Sequence, residues 1–233
     1  LTTGLLLEGP ATDKLTYFIS GRTSFHELAN YRKKRAFDKH LTVAEFGIIH
    51  FYDFNAKINW RASTKSRFWA STYIGQDKNM YFNGLYNDHS KDGILTGNIG
   101  AIVGNTYILS PRMYLRSFIS HSSYKNQYFT DYKYFESPKG EKVKPQSEET
   151  SYTYTQIKDI TAHTGLTYNI FSHTTLRTGA KGTQYWFVPS QTHIKKIAQQ
   201  TNIDTTYGTK MDAYEVCLFA EVEHDITKNI GIN

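Results

Sequence analysis

A single cysteine, Cys217, stands in 233 residues, so an intramolecular disulfide and a cysteine-based metal site are both excluded. No run approaches the roughly 18 apolar residues a spanning helix needs, hydrophobic residues are only 39% and mean hydropathy is -0.53, which excludes a helical membrane protein. There is no nucleophile elbow, phosphate loop or dinucleotide fingerprint, so no catalytic residue and no cofactor are expected. His26-Glu27 lacks the second histidine of a zinc-protease helix, and the nine histidines form no ligand pattern, so no metal is expected either. Asp88-His89-Ser90-Lys91-Asp92-Gly93 opens like a calcium loop, but the twelfth position is Ile99 where a bidentate Glu is required. The net charge of +6 and pI near 9.1 come from dispersed basic residues, the run Arg32 to Arg35 excepted. No nucleic-acid motif accompanies them, and nucleic acid is not an expected partner.

What the sequence has in quantity is aromatic side chains, 15% of the total with 18 Tyr and 14 Phe. Aromatics at that level suit a transmembrane β-barrel, which needs a ring girdle at each membrane interface yet stays polar on average because alternate residues face a wet lumen. Residues 52–61 show the pattern without a miss. Tyr52, Phe54, Ala56, Ile58 and Trp60 alternate with Asp53, Asn55, Lys57, Asn59 and Arg61, which predicts a two-faced strand. In residues 159–170 the same logic turns Ile160, Ala162, Leu166, Tyr168 and Ile170 to lipid and Asp159, Thr161, His163, Thr167 and Asn169 inward. In residues 214–225 it turns Val216, Leu218, Ala220 and Val222 to lipid and Glu215, Glu221, Glu223 and Asp225 inward. A carboxylate facing hydrocarbon costs several kcal/mol, so this register is close to forced. Residues 66–76 and 112–130 alternate too loosely to assign faces.

Further strands are predicted at 14–21, 94–108, 151–171, 175–188 and 208–225, with partial strands at both ends. The connections alternate: tight turns at 9–14, 62–65, 109–112, 171–174 and 227–229, long polar loops at 23–45, 77–93, 131–150 and 189–206. Short turns at one end and long loops at the other are the expected layout of an up-and-down outer-membrane barrel. The fold class predicted is therefore all-β, an antiparallel transmembrane barrel, with about ten strands supplied by this chain. Competing readings are a self-contained small outer-membrane barrel, either an omptin-like enzyme or an adhesin, and a soluble β-sandwich binding module. A second sheet packed over Tyr52, Phe54, Ile58, Trp60, Leu166 and Tyr168 is the feature that separates the sandwich from the barrel.

Several stretches resemble the TonB-dependent receptors of the Bacteroidetes. Leu6-Leu7-Glu8-Gly9-Pro10 followed by Tyr17 to Phe25 is similar to the EGP turn and S-x-R-x-[ST]-[YF] continuation of early barrel strands in that family. Tyr52 to Lys57 resembles its "YD-N-K" strand, Phe68 to Asp77 the strand after it, and Arg177 to Ala180 with Pro189 a further one. The resemblance implies a barrel of about 22 strands with a plugged lumen. Residues 1–233 would then be part of the barrel domain, without the plug, the TonB box or the C-terminal strands. It further implies a Gram-negative outer-membrane location and active uptake of a nutrient such as a siderophore, glycan or peptide. The implied partners are the TonB-ExbB-ExbD complex, outer-membrane lipid including lipopolysaccharide, and a surface lipoprotein. The expected role is transport and not catalysis.

Aromatic residues cluster at the loop edges: Tyr81, Phe82 and Tyr86; Tyr128, Phe129, Tyr132, Tyr134 and Phe135; Tyr185, Trp186 and Phe187. A membrane girdle accounts for such rings without further function. The alternative is a ligand-capturing surface, for which Tyr81, Tyr86, Tyr132, Tyr134 and Tyr185 are the candidates. The basic run Arg32 to Arg35 falls in the first long loop, either as a solvated segment or as a contact to lipopolysaccharide phosphates.

Overall fold

The computed structural model describes residues 2–39, 41, 43–85, 87–135, 145–198, 201–227 and 230–232. The period-two patterning is realised as one antiparallel sheet. Its strands are β1 (Thr2–Thr12), β2 (Leu15–Ser24), β3 (Val43–Arg61), β4 (Ser66–Leu85), β5 (Asp88–Ser110), β6 (Met113–Tyr134), β7 (Ser147–Phe171), β8 (Thr174–Ala198), β9 (Thr201–Gly208), β10 (Met211–Thr227) and β11 (Ile230–Ile232). Each strand pairs with its neighbour in sequence, except that β9 and β10 both pair with β8, along different halves of it. The two make one interrupted lane, so the wall is ten lanes wide, as the sequence predicts. Gly208 ends β9 at φ +154°, and a Cβ there would stand 2.6 Å from the Ser190 carbonyl oxygen, a position that favours glycine. β1 and β11 are the sheet's edges, and no pairing joins them among the described residues. The expected barrel is thus present as an open section of wall, and neither closure nor a total of 22 strands is a feature of it.

Directly paired residues of an antiparallel ladder share a face. One row therefore runs Tyr17, Ile58, Ala70, Val103, Ile119, Ala162, Gly182, Val216. The adjacent row, on the opposite face, runs Lys57, Ser71, Ile102, Ser120, Thr161, Thr183, Glu215. Apolar residues dominate one face and polar ones the other, with Ile102 the departure in these two rows. The register also resolves the strands whose faces the sequence leaves open: Phe68, Ala70, Thr72 and Ile74 join the apolar face, as do Leu115 and Ile119. Among the described residues no second sheet covers that face: Tyr52 is 39% exposed, Ile58 49% and Trp60 48%. The sandwich reading fails on this point.

Three loops expected from the sequence are corrected. Residues 77–85 and 88–93 are the upper parts of β4 and β5, residues 131–134 and 147–150 belong to β6 and β7, and residues 189–198 continue β8. The cause is physical. Beyond the apolar band both faces of a hairpin carry polar residues, so apolar alternation lapses while backbone pairing continues. On β3 the apolar outer positions Tyr52 to Trp60 cover about 27 Å of strand, or about 20 Å of height at a tilt of roughly 40°. At 25 residues β7 is about 80 Å long, so the wall rises far above that band.

Within residues 23–45 the chain forms two short helices, α1 (His26–Ala29) and α2 (Tyr31–Asp38). β2 stops at Ser24 while β3 continues upward, and the exposed edge of β3 is partly satisfied from here. Ser24 Oγ accepts the Phe51 amide (3.0 Å), and Asn30 Nδ2 donates to the Gly47 carbonyl (3.0 Å). A small apolar core lies beside it, made of Phe46, Ile48, Met80 and Phe82 with Phe37 of α2 and Phe129 packed against it.

Candidate functional site

The polar face is where recognition chemistry is concentrated. On β8 and β10, Arg177 bridges Glu221 (3.1 Å) and Glu223 (2.6 Å), and Lys181 pairs with Glu215 (3.1 Å), which also accepts the Tyr185 hydroxyl (2.8 Å). These are cross-strand neighbours brought together by register. On the far side of the sheet Arg22 of β2 pairs with Asp53 of β3. A hollow of about 420 Å³ beside that pair is bounded by Leu6, Ser20, Arg22, Asp53, Asn55 and Tyr73. An adjoining hollow of about 450 Å³ takes in Phe18, Asn55, Lys57, Ser71, Tyr73 and Ser122. Asn55 and Tyr73 border both. Two rings, an amide, hydroxyls and an ammonium group around one concavity can hold a ligand by stacking and hydrogen bonding together.

A line of rings crosses the same face: Trp69 to Phe118 (6.2 Å between centroids), Phe118 to His163 (4.7 Å, 13° between planes) and His163 to Phe219 (5.8 Å). The Arg116 guanidinium stands 5.0 Å from the Trp69 ring. Glycines make room for the line. A Cβ on Gly104 would run into the Trp69 ring, and one on Gly179 would run into the Thr164 carbonyl oxygen and stand 2.7 Å from Phe219.

The sequence-derived candidates separate into two groups. Tyr81, Tyr132, Tyr134 and Tyr185 all occupy positions on the polar face; Tyr86 lies outside the described residues. Tyr81, Tyr132 and Tyr134 gather on the upper wall of β4 and β6, near Asp88, Ser90 and Asp92 of β5. Tyr132 donates to Asp88, and that hydrogen bond, helped by burial, pushes its pKa up to about 12. Tyr185 sits lower, in the row of Tyr73, Ser122 and Asp159, and joins the charged ladder instead. Phe82, Phe129 and Trp186 take the apolar face, so the rings at the loop edges are divided between the two sides. Asp88 to Gly93, which opens like a calcium loop, is the first stretch of β5.

Residues around the two hollows were not singled out from sequence. Asn55 and Lys57 fall on the polar half of the strictest alternation, which could have found them; Tyr73, on a strand with loose alternation, could not. Two further shallow hollows, of about 470 and 530 Å³, have mostly apolar walls that include Ile58, Ala70, Val103, Ile119 and Ala162. They open on the apolar face between large side chains and small ones, where no recognition chemistry converges. Among the described residues no group of three or more His, Cys, Asp or Glu is placed to hold a metal ion.

No protein-family model matches the chain, and no curated protein matches it. Two solved structures resemble it over 97% of its length. They are the ferric yersiniabactin uptake receptor FyuA from Yersinia pestis (8% identity, TM-score 0.57) and the open form of the ferric-catecholate import receptor Fiu from E. coli K12 (8% identity, TM-score 0.52). The chain spans 35% and 45% of those two proteins, so the likeness is to a section of each. At this identity the shared property is the fold, the wall of a β-barrel.

Proposed function

We propose that this chain is part of the barrel wall of an outer-membrane TonB-dependent receptor that actively takes up a nutrient into the periplasm. The observation that carries the reading is the division of a ten-lane sheet into one exposed apolar face and one polar face, with tight turns at one end and tall hairpins at the other. In water the apolar face would be a large aggregation hazard; against hydrocarbon it is the stable arrangement. The likeness in fold to two uptake receptors supports transport over catalysis. A further specialisation toward the Bacteroidetes type rests on the sequence motifs alone.

In this reading the polar face lines the ligand path. The hollows at Asn55 and Tyr73 and the upper tyrosines Tyr81, Tyr132 and Tyr134 are the proposed contacts, with Tyr185 below them. Rings with amides and hydroxyls suit a siderophore, a glycan or a peptide. Energy would come through the TonB-ExbB-ExbD complex acting on a plug outside this segment, and a surface lipoprotein is a proposed partner. The unpaired edges favour a portion of a larger wall over a small self-closed barrel.

The test is made on the intact protein in its own host. Membrane fractionation should recover it with the outer membrane, and deleting TonB should abolish growth on the nutrient it imports while leaving its abundance unchanged. Recovery as a water-soluble monomer, or uptake indifferent to TonB, would reject the proposal.

A further inference from the structure

We infer that helix α2, with the apolar-face side of β4 to β6 beside it, docks the phosphorylated saccharide headgroup of the outer-leaflet glycolipid. This rests on the outer-membrane reading and gives a role to a part of the wall that faces away from the ligand path. Phe37 anchors the helix. Its ring stands edge-on to Phe82 (5.1 Å) and Phe46 (6.4 Å) and lies 5.3 Å from His89. Phe46 and Phe82 are paired with each other and continue the face of Tyr52, Phe54 and Ile58 in two-residue steps. The basic helix is therefore seated on the outside of the wall. A cationic helix over the lumen would gather an anionic ligand; one outside meets the membrane surface. Phe46 lies six residues above Tyr52, about 20 Å along the strand and about 15 Å in height, which is the level of a bulky headgroup and not of hydrocarbon.

The charges at that level are poorly neutralised. Arg32, Lys33 and Arg35 are exposed and make no ion pair among the described residues. Lys34 is held by Asp38 (3.4 Å), one turn on. Lys78, Lys91 and Lys133 take positions on the same side of the sheet, Lys133 paired with Glu148 (3.1 Å). Burial lowers the pKa of Lys91, and repulsion from Lys78 and Lys34 adds to it, while Asp131 and Asp38 act against it. The hollow of about 180 Å³ between helix and wall is lined by Asp38 and Asp131 as well as by Lys91 and Lys133. Two carboxylates there repel an anion, so the phosphates belong on the exposed arc of Arg32, Lys33 and Arg35. Apolar packing, not carboxylates, holds that arc together, and a polyanion at the membrane surface is its complement.

The test uses the intact protein reconstituted into phosphatidylcholine vesicles with or without a bisphosphorylated lipopolysaccharide, and the same glycolipid after phosphatase treatment. Each basic residue near an anionic surface is worth about fivefold in affinity, so Arg32→Ala, Lys33→Ala and Arg35→Ala together should weaken binding of the phosphorylated glycolipid by roughly 100-fold. Binding of the dephosphorylated form should not change. Neutralising Lys14, Lys65 and Arg112 in the tight turns at the opposite end removes the same charge and should have no effect. Heat-modifiable mobility on gels checks that each variant has folded. Equal losses from the two triple variants, equal binding of the dephosphorylated glycolipid, or displacement by millimolar inorganic phosphate would overturn the inference. Failure of the protein to insert into any vesicle would instead reject the outer-membrane reading on which it rests.

Discussion

Replacing Ile119 by arginine should be far more costly than replacing its neighbour Ser120. Ile119 is in the middle of the apolar band: it pairs with Val103, and the outer positions on β5 run from Ile99 to Tyr107, four residues to either side. Four residues are about 13 Å of strand and about 10 Å of height, which in the proposed outer-membrane setting puts Ile119 near the bilayer midplane. At 58% exposure its side chain is left uncovered by protein, and in that proposed setting it meets lipid. Arginine on the lipid face at that depth costs about 2–4 kcal/mol, a shift of roughly 30- to 900-fold in the folding equilibrium. Ser120 points the other way, into the polar row of Ile102 and Thr161, and arginine there should cost well under about 1 kcal/mol. The assay is urea unfolding of the intact protein in bilayers, followed by tryptophan fluorescence. Equal costs at the two positions, or a larger cost at Ser120, would refute the assignment of faces.

Gly179→Ala should destabilise by about 1–3 kcal/mol in the same assay, because its methyl group runs into the Thr164 carbonyl oxygen and stands 2.9 Å from the Gly165 Cα, backbone atoms that cannot swing aside; Gly182→Ala, with open space around it, should be neutral within about 0.5 kcal/mol. Tyr132, its pKa pushed up to about 12 by Asp88, should ionise about two pH units later than an ordinary tyrosine of pKa about 10, as read from phenolate absorbance. The phenol is favoured in the folded state, so its contribution to stability is complete below pH about 10 and is lost as pH rises toward about 12; an unchanged titration in Asp88→Asn would show that the hydrogen bond is not the cause. Cys217, exposed on the polar face, should react with a water-soluble maleimide, whereas Val216→Cys in a Cys217→Ser background should react only with a lipid-permeant one; the reverse order would invert the wall.

The extent to which this structure could be read in advance follows from where each residue's surroundings are one-sided. Across the apolar band the two faces of the sheet impose opposite demands on successive residues, so Tyr52 to Trp60, Ile160 to Tyr168 and Val216 to Val222 carry their faces in plain alternation. Above the band that demand disappears, and residues 77–85, 88–93 and 189–198 read as loops although they are paired strands. The candidate tyrosines were identifiable as ring clusters, but composition does not separate Tyr81 from Phe82, which the register sends to opposite faces. The hollows at Asn55 and Tyr73 depend on three strands meeting, a relation invisible along one chain. Nor does a run of four basic residues disclose that Phe37, two positions further on, pins it to the outside of the wall.

The line of rings from Trp69 to Phe219 has a geometric consequence for whatever lies against the polar face. Because glycines 104 and 179 give up their side-chain volume, Trp69 and Phe219 settle into the wall and do not project from it. The polar face is lower there, between the Arg22–Asp53 pair on one flank and the Arg177–Lys181 ladder on the other, with His163 in the line of rings and the Arg116 guanidinium over Trp69. A body set against this face would find fixed charges to lock against at both flanks and, between them, low rings offering van der Waals contact, with the His163 imidazole and the Arg116 guanidinium as the polar points among them.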